Sequence, residues 1–540
     1  MTLPRTAAEV LSGHVRFEIR SVDRMLLLLR QPRLQYGAGI QGFFCHHRGW
    51  RFVSSQLMLP MTEAFAAQIH HYIESRDLDL VHFTKDDRKD DVAKEYLADH
   101  DGGERILFVG RAQERTAVWR TRQRRDPVTG KRYPWLVKDS AMVNHWYFYG
   151  FDRDFGPFFI KFCGYFPFTA QIYLNGHEYA MQQCRRAGIA FTAADNAFAA
   201  VADVPAVQAI CDGMTPERIS RFVGKWLGRL PHPFTVADDE ADYHWELSVQ
   251  QVELATTQVL DRPAAGRIFF DQLIRDNLDI AHPDKVRIVF DRQIRRRGTH
   301  RTPGSFCTQV ITAGVDPYLY LYYKKTQVKQ YLKEGVALRT ETTINSPRDF
   351  GIGKALTHLP ALQHIGYTAN RRLLDVERLS HDPATGLTAL TALTHPVVSD
   401  TGTRIPGLRF TDPRVQALMT VCCTLALLPA GFTNRDLRDR LAPLLGHPPE
   451  TMTSGQTSYD LRRLRAHGFI ERIDATRRYR LTPDGLAHAL FLTHLTKRFL
   501  IPAMSQISDP DPLPGSRLRT ASRAYQAAIT DLAHRAHLAA

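Results

Sequence analysis

The stretch from Asn144 to Leu174 constrains the fold of this chain more than any other. Asn144–Asp152 (NHWYFYGFD), Pro157–Phe166 (PFFIKFCGYF) and Ala170–Leu174 (AQIYL) are aromatic and β-branched, and turns bearing Gly or Pro separate them. Such residues fit a pleated, half-buried surface, so three consecutive runs predict a sheet rather than a helical bundle. Asn175-Gly-His-Glu178 follows with the spacing of a helix capping box, and the helix it opens is expected to stop at Gly188. A fourth strand, Ile189–Ala193, then leads to Asp195.

Strand-like alternation is also read across residues 14–53, followed by a helix at Met61–Ser75 and strands at Leu78–Phe83 and Arg105–Gly110. From Val204 to Asp261 the pattern reads as helical. Beyond it, a helix at Arg267–Leu278 precedes strands at Val286–Phe290, Thr308–Thr312, Tyr318–Tyr323 and Ala337–Thr343, with a helix again at Pro360–Leu379. Residues 383–408 are rich in Thr, Gly and Pro and read as a linker, and a last helix is expected at Arg517–Ala539. The expected fold class is therefore α/β and multidomain, with a mixed, β-rich core. The expected blocks are an N-terminal α/β unit at 1–115, a core at 116–261, a basic α/β domain at 262–382, a linker at 383–409, a C-terminal domain at 410–499 and a tail at 500–540. A length of 540 residues fits three or four domains at roughly 150 residues each.

Composition excludes several classes. With 44% apolar and 23% charged residues, wholesale disorder and fibrous repeats are ruled out. No apolar run approaches the ~20 residues of a membrane-spanning helix. Met1–Ser12 carries Pro4, Arg5 and Glu9 without a long apolar stretch, so no signal peptide is expected. Seven scattered cysteines suit reduced thiols, and the expectation is a soluble, cytoplasmic protein.

The net charge of +14 is concentrated. Residues 118–138 and 285–301 each hold seven Lys or Arg against one Asp, interleaved with Trp, Tyr or Phe. Arg295, Arg296 and Arg297 form the densest part. Cations beside aromatic rings suit a surface that neutralises phosphates and stacks bases. Anionic lipid is the other partner for a basic surface, but neither run reads as an amphipathic helix, so nucleic acid is expected and a membrane is not. A homo-oligomer is open.

Residues 410–499 have an order that can be named. Val415–Leu428 is an apolar helix; Thr433 caps a second, Asn434–Leu445; and Gly455–His467 is a third, ended by Gly468. Phe469–Ile473 and Arg478–Leu481 then form a hairpin, and Thr482-Pro-Asp-Gly opens a last helix. This order, with the phrase YDLRRLRAHGFIERIDATRRYRLTPDG, resembles the winged-helix DNA-binding family. The resemblance implies that Arg462, Arg463 and Arg465 on the third helix face a DNA major groove, while Arg477 and Arg478 at the wing reach phosphate or the minor groove.

Acids at strand ends are the candidates for catalysis. Asp152 and Asp154 (GFDRDFGPFF) close the first strand of the aromatic series and Asp195 closes the fourth. This β-β-β-α-β order resembles the ribonuclease-H-like fold of transposases, integrases and resolvases. The resemblance implies that Asp152, Asp154 and Asp195 converge on Mg2+ or Mn2+ with a third acid from a later helix, for which Glu253 is the candidate and Glu246 the spare. Asp23, closing the first strand of the chain, is a rival first acid, and Glu114 and the run Thr84–Asp91 are further candidates. Tyr318–Lys325 (YLYLYYKK), with Arg339-Thr-Glu341 beyond it, weakly resembles the core of plasmid and phage replication initiators; Tyr323, Lys324 and Lys325 are the expected nucleic-acid contacts, more as a stacking strand than as a nucleophile. Cys45-His-His47 lacks a second ligand pair at zinc spacing, and neither GxxxxGK[ST] nor GxGxxG occurs. The expectation is a nucleic-acid-binding protein, either a metal-dependent nuclease or transposase-like enzyme of a mobile element or, as the alternatives, a non-catalytic DNA- or RNA-binding regulator, replication initiator or RNA-binding scaffold.

Overall fold

A computed structural model describes residues 7–125, 127–270, 286–289, 307–313, 316–379, 385–398, 402–428, 430–501, 504–505 and 517–535. Its organising element is one sheet of 12 strands. These are β1 (Val15–Arg30), β2 (Asp79–Phe83), β3 (Arg105–Arg125), β4 (Arg132–Asp152), β5 (Gly156–Cys163), β6 (Ala170–Asn175), β9 (Glu246–Leu260), β10 (Val286–Val289), β11 (Cys307–Ala313), β12 (Asp316–Tyr323), β13 (Thr326–Lys333) and β14 (Ala337–Ile344). Two further strands, β7 (Phe191–Ala194) and β8 (Ala197–Val201), form a separate hairpin. The order is β10-β11-β12-β13-β14-β9-β1-β6-β5-β4-β3-β2. Pairing is antiparallel except at the two ends, where β10 runs parallel to β11 and β2 to β3.

The back face of the sheet carries the main core. Met25, Leu27 and Leu29 of β1, Val252 and Leu254 of β9 and Phe158, Ile160 and Phe162 of β5 pack there. They meet Phe65 and Ile69 of the helix Met58–Ser75 and Phe222 and Trp226 of the helix Pro216–Leu227. The front face is more polar. It is covered in part by the helix Lys89–Ala98, and in part by the helix Gly176–Arg186, the β7–β8 hairpin and the helix Val204–Asp212, which bury Ile19, Met181, Phe198 and Val207.

Several sequence expectations change here. The sheet takes strands from all three blocks expected at 1–115, 116–261 and 262–382, because β1 lies between β6 and β9. Residues 37–47, expected as strand, are helical, and Ile40, Phe43 and Phe44 turn into the core. Residues 246–260, expected within a helical region, form the central strand β9: Val249, Val252, Thr256, Thr257 and Val259 are β-branched, and both faces of the strand are covered. The strand leading to Asp195 does not join the aromatic series. It pairs with β8 across the Asp195-Asn196 turn, and β1 takes the place beside β6.

Residues 410–499 carry a second core, built from Leu418, Leu437, Leu441, Leu461, Leu464, Phe469, Leu486 and Leu490 among others. Helices at Pro413–Leu425, Asn434–Leu444 and Ser454–Ala466 precede short strands at Ile470–Arg472 and Tyr479–Leu481 and a helix at Pro483–His494. Thr433 with Asp436 and Thr453 with Gln456 close capping boxes on the second and third helices. The expected linker is not wholly extended: Thr385–Thr394 is helical, and fully buried Leu393 joins this core. Leu390 packs against this core beside Leu393, three residues on and one turn along the same face of that helix. The unit docks on the helix Leu359–Leu379, where Arg372 donates to the carbonyls of Ala426 and Leu428.

Gly176 begins its helix hard against β1. A Cβ added there would lie 1.8 Å from the Val22 carbonyl oxygen, whereas one at Gly224, inside the helix Pro216–Leu227, would meet nothing within 4 Å. Gly176→Ala should therefore destabilise the protein by about 1–3 kcal/mol or more, while Gly224→Ala should be neutral or stabilise it by up to about 1 kcal/mol. Denaturant unfolding of the two variants checks this, and equal stabilities would refute the close approach at Gly176.

Candidate metal centre

Three adjacent strands in the middle of the sheet bring together acids that are far apart in sequence. Val22 of β1 pairs with Leu254, and Arg24 pairs with Glu253, which leaves Asp23 as the extra residue of a β-bulge. A bulge re-aims a side chain and shifts the phase of the strand. Here it lets Val22 and Met25 both join the back-face core while fully buried Asp23 faces front. Glu253 of β9 and Glu341 of β14 face the same way, since Glu253 pairs with Thr343 and Ala255 pairs with Glu341. Asp23, Glu253 and Glu341 each offer an oxygen within 4.8 Å of the others, the one such group of three ligands among the described residues.

Cations hold this cluster. The Arg339 guanidinium, 1% exposed, lies with Nη2 2.7 Å from Asp23 Oδ1 and donates from Nε to Glu341 Oε1 at 2.5 Å. Its Nη1 donates to Thr257 Oγ1 at 3.0 Å. His177 Nδ1 lies 3.1 Å from Asp23 Oδ1, Asn196 Nδ2 donates to Asp23 Oδ2 at 3.1 Å, and the Tyr331 hydroxyl donates to Glu341 Oε1 at 2.8 Å. Farther out, Lys329 Nζ is 3.8 Å from Glu341 and Arg24 Nε is 3.9 Å from Asp23.

The electrostatics divide the acids. Burial alone would raise the Asp23 carboxyl, but Arg339 and His177 outweigh it and hold the group far below the usual carboxylate range. Burial, reinforced by the negative charges of Glu341 and Asp23, pushes Glu253 up to about 8. Protonated Glu253 then hydrogen-bonds to Asp23. Burial likewise lifts the Tyr173 hydroxyl to about 12.

These residues can hold a metal ion. The donors are carboxylate oxygens, the hard set preferred by oxygen-loving divalent cations. Asn196 adds a second sign: it is 7% exposed, and its Oδ1 has no hydrogen-bond partner. A divalent cation would replace the proton that Glu253 otherwise retains.

The other predicted residues are distributed as follows. Asp152 is buried, but its Oδ2 accepts from Lys225 Nζ at 2.6 Å and from Trp226 Nε1 at 2.8 Å, and its Oδ1 accepts from the backbone of Asp154 and Phe155. Asp154 pairs with Arg186. Asp152, Asp154 and Asp195 therefore do not converge: the first strand of the aromatic series and the strand ending at Asp195 are not neighbours, so the carboxylates are spent on separate cations. Asp195 instead lies at the rim of the acidic centre. It adopts a left-handed backbone in the β7–β8 turn, pairs with Lys333 at 2.5 Å, and its neighbour Asn196 touches Asp23. Glu253 belongs to the centre, from a strand rather than a helix. Glu246 is exposed at the start of β9.

Glu114 forms a separate cluster with Lys89, Lys161 and Tyr147, where burial is outweighed by those donors and the carboxyl falls to about 2. Lys324 and Lys325 form the turn after β12, braced by Asp349, and Tyr323 ends that strand. Arg295, Arg296 and Arg297 lie outside the described residues. On the third C-terminal helix Arg462 and Arg465 are exposed, whereas Arg463 donates to the Gly407 carbonyl at 3.0 Å. At the hairpin Arg477 is exposed, and Arg478 donates to the Gly431 carbonyl at 2.9 Å.

Sequence reasoning missed Glu341 as a ligand and Arg339 as its partner. The signal was an Arg and a Glu two residues apart on a predicted strand, hence on one face. Comparisons with protein-family models, curated proteins and solved structures give no significant match.

The raised Glu253 carboxyl has a measurable consequence. The native group keeps its proton up to about pH 8, while the unfolded one releases it near its ordinary value of 4.5. The folded state then holds the extra proton across that window. Stability of the metal-free protein should fall as pH rises through it, by up to about 1.4 kcal/mol per pH unit. Denaturant titrations across this range should show Glu253→Gln flattening the slope; an unchanged slope would refute the assignment.

Proposed function

We propose that this chain binds nucleic acid and cleaves or transfers phosphodiester bonds at the Asp23–Glu253–Glu341 centre with Mg2+ or Mn2+, as a nuclease or transposase-like enzyme of a mobile element. The observation that carries the reading is the convergence of three carboxylates from β1, β9 and β14 within 4.8 Å, in a chain whose net charge is +14. A bound divalent cation would activate water or a hydroxyl and stabilise the leaving oxygen. Of the chain's own groups, Arg24 and Lys329 flank the carboxylates and offer positive charge to a phosphate. Arg339, on the same face, contacts both Asp23 and Glu341 and fixes their spacing. The C-terminal order of three helices, a two-stranded hairpin and a further helix supports the winged-helix resemblance, and with it a role in selecting DNA.

A second reading has its own support. Arg339 already bridges Asp23 and Glu341, so the cluster can serve as an internal ion network of a non-catalytic nucleic-acid-binding protein. Mg2+- or Mn2+-dependent nicking of labelled DNA and RNA separates the two. Glu253→Gln keeps the shape of the protonated carboxyl and should fold, yet it should lose cation binding by calorimetry and at least about a hundredfold in cleavage. Asp154→Ala should cleave like wild type. Cleavage that survives Glu253→Gln would place the chemistry elsewhere, and no cleavage of any substrate by the wild type would favour the second reading.

The C-terminal arginines should also divide. Replacing Arg462, Arg465 and Arg477 by Ala should each reduce the salt dependence of DNA binding, by about 0.9 in the log–log slope per lost phosphate contact, with little change in melting temperature. Arg463→Ala and Arg478→Ala should instead lower the melting temperature, because each leaves a backbone carbonyl without its donor. Anisotropy titrations and thermal melts test both halves.

A further inference from the structure

The basic run at 118–138 becomes part of an arm. β3 pairs with β2 only from Phe108 to Ala112, and β4 pairs with β5 only from His145 to Asp152. From Gln113 opposite Asn144 to Arg125 opposite Arg132, the two strands continue with only each other as sheet partners. At strand rise this ribbon is about 40 Å long.

Its two faces differ. Facing back, Trp119 and Leu136 are buried in the main core, and Thr121 and Ser55 bond to each other's backbone amides, so the ribbon has a fixed base. Facing front, Arg120, Arg122 and Arg124 occupy every second position of β3, opposite Val137, Trp135 and Tyr133. Arg120 and Arg122 are 56% and 68% exposed and share Asp139 at 3.4 and 3.5 Å. Exposed pairs of this kind contribute little and exchange readily for phosphate. Arg124 lies 5.3 Å from the centroid of Trp135, itself 46% exposed. In β4 the same alternation runs from Tyr133 and Trp135 to Tyr147, which meets Lys161 on the front of the sheet, the face that carries the acidic centre.

We infer that this arm is a duplex-binding ribbon that holds double-stranded nucleic acid beside the front face. The inference rests on the nucleic-acid reading of the acidic centre and adds the form of the substrate and a second contact surface. A two-stranded β-ribbon fits a DNA major groove. Arginines at every second strand position lie on one face about 6.6 Å apart, so the row presents three like charges in line to a phosphate backbone. Trp135 holds Arg124 over its ring without adding charge, and Tyr133 meets Trp135 edge-on.

The test is anisotropy of a labelled DNA duplex and of its single strand over a series of salt concentrations. The full chain and R120A/R122A/R124A are compared, with melting temperature and calorimetric Mn2+ binding measured alongside. The triple variant should melt and bind Mn2+ like wild type, while its duplex slope of log K against log salt should fall by about 2.7. R120K/R122K/R124K should restore that slope by restoring the charge. A triple variant with the wild-type duplex slope, or one weakened only toward the single strand, overturns the arm and leaves the acidic centre standing. A wild-type chain that binds neither oligonucleotide overturns the nucleic-acid reading and the arm together.

Discussion

Arg339 is the interaction on which the middle of this molecule depends. Its guanidinium is all but inaccessible to water and is held by Asp23 from β1 and by Glu341 from its own strand, with Thr257 of β9 as a third partner. Moving a charge out of water costs several kcal/mol per ion, and opposite charge at close range offsets it. Here that charge comes from Asp23 and Glu341, and Thr257 adds a hydroxyl, so three neighbouring strands converge on one guanidinium. Arg339 therefore ties β1, β9 and β14 in register as much as it neutralises acids. Burial first, and then the excess of carboxylate over cation at short range, makes Glu253 retain a proton.

The bulge at Asp23 makes the arrangement possible. In an unbroken strand Val22 and Asp23 point to opposite faces, and so do Asp23 and Arg24. With the extra residue, Val22 and Met25 both serve the apolar back face while Asp23 reaches Arg339 and Arg24 remains half exposed beside it. Gly176 and the Asp195-Asn196 turn crowd the same place from the front. Three separate local deviations, a bulge, a glycine pressed on a carbonyl and a left-handed aspartate, thus meet around one buried carboxylate.

The proposed division of labour follows from where charge lies relative to this centre. Arg24 and Lys329 border it, the β3–β4 arm extends its face outward, and the C-terminal unit is anchored behind it through Arg372 on the helix Leu359–Leu379. Arginines that the sequence cannot rank are ranked by their partners. Arg463 and Arg478 are spent on carbonyls, while Arg462, Arg465 and Arg477 face solvent.

Local chemistry was legible in the sequence. The aromatic strands 144–174, the capping threonine at 433, the buried leucines of the third C-terminal helix and the basic run at 118–138 all depend on neighbours in the chain, whose periodicity and side chains act over a few residues. Asp23 and Glu253 were visible one by one, as an acid closing a strand and an acid in an apolar run. Their union with Glu341 was not, because it depends on β1, β9 and β14 lying side by side although they are separated by more than 70 residues at each step. Periodicity likewise misassigned residues 246–260, since a strand covered on both faces loses its alternation and reads as a helix. Sequence determined the elements whose pattern is carried by chain neighbours and the placing of charge along the chain. Only the tertiary structure decided which carboxylates share one small volume, since strand order is set by long-range burial that no local pattern records.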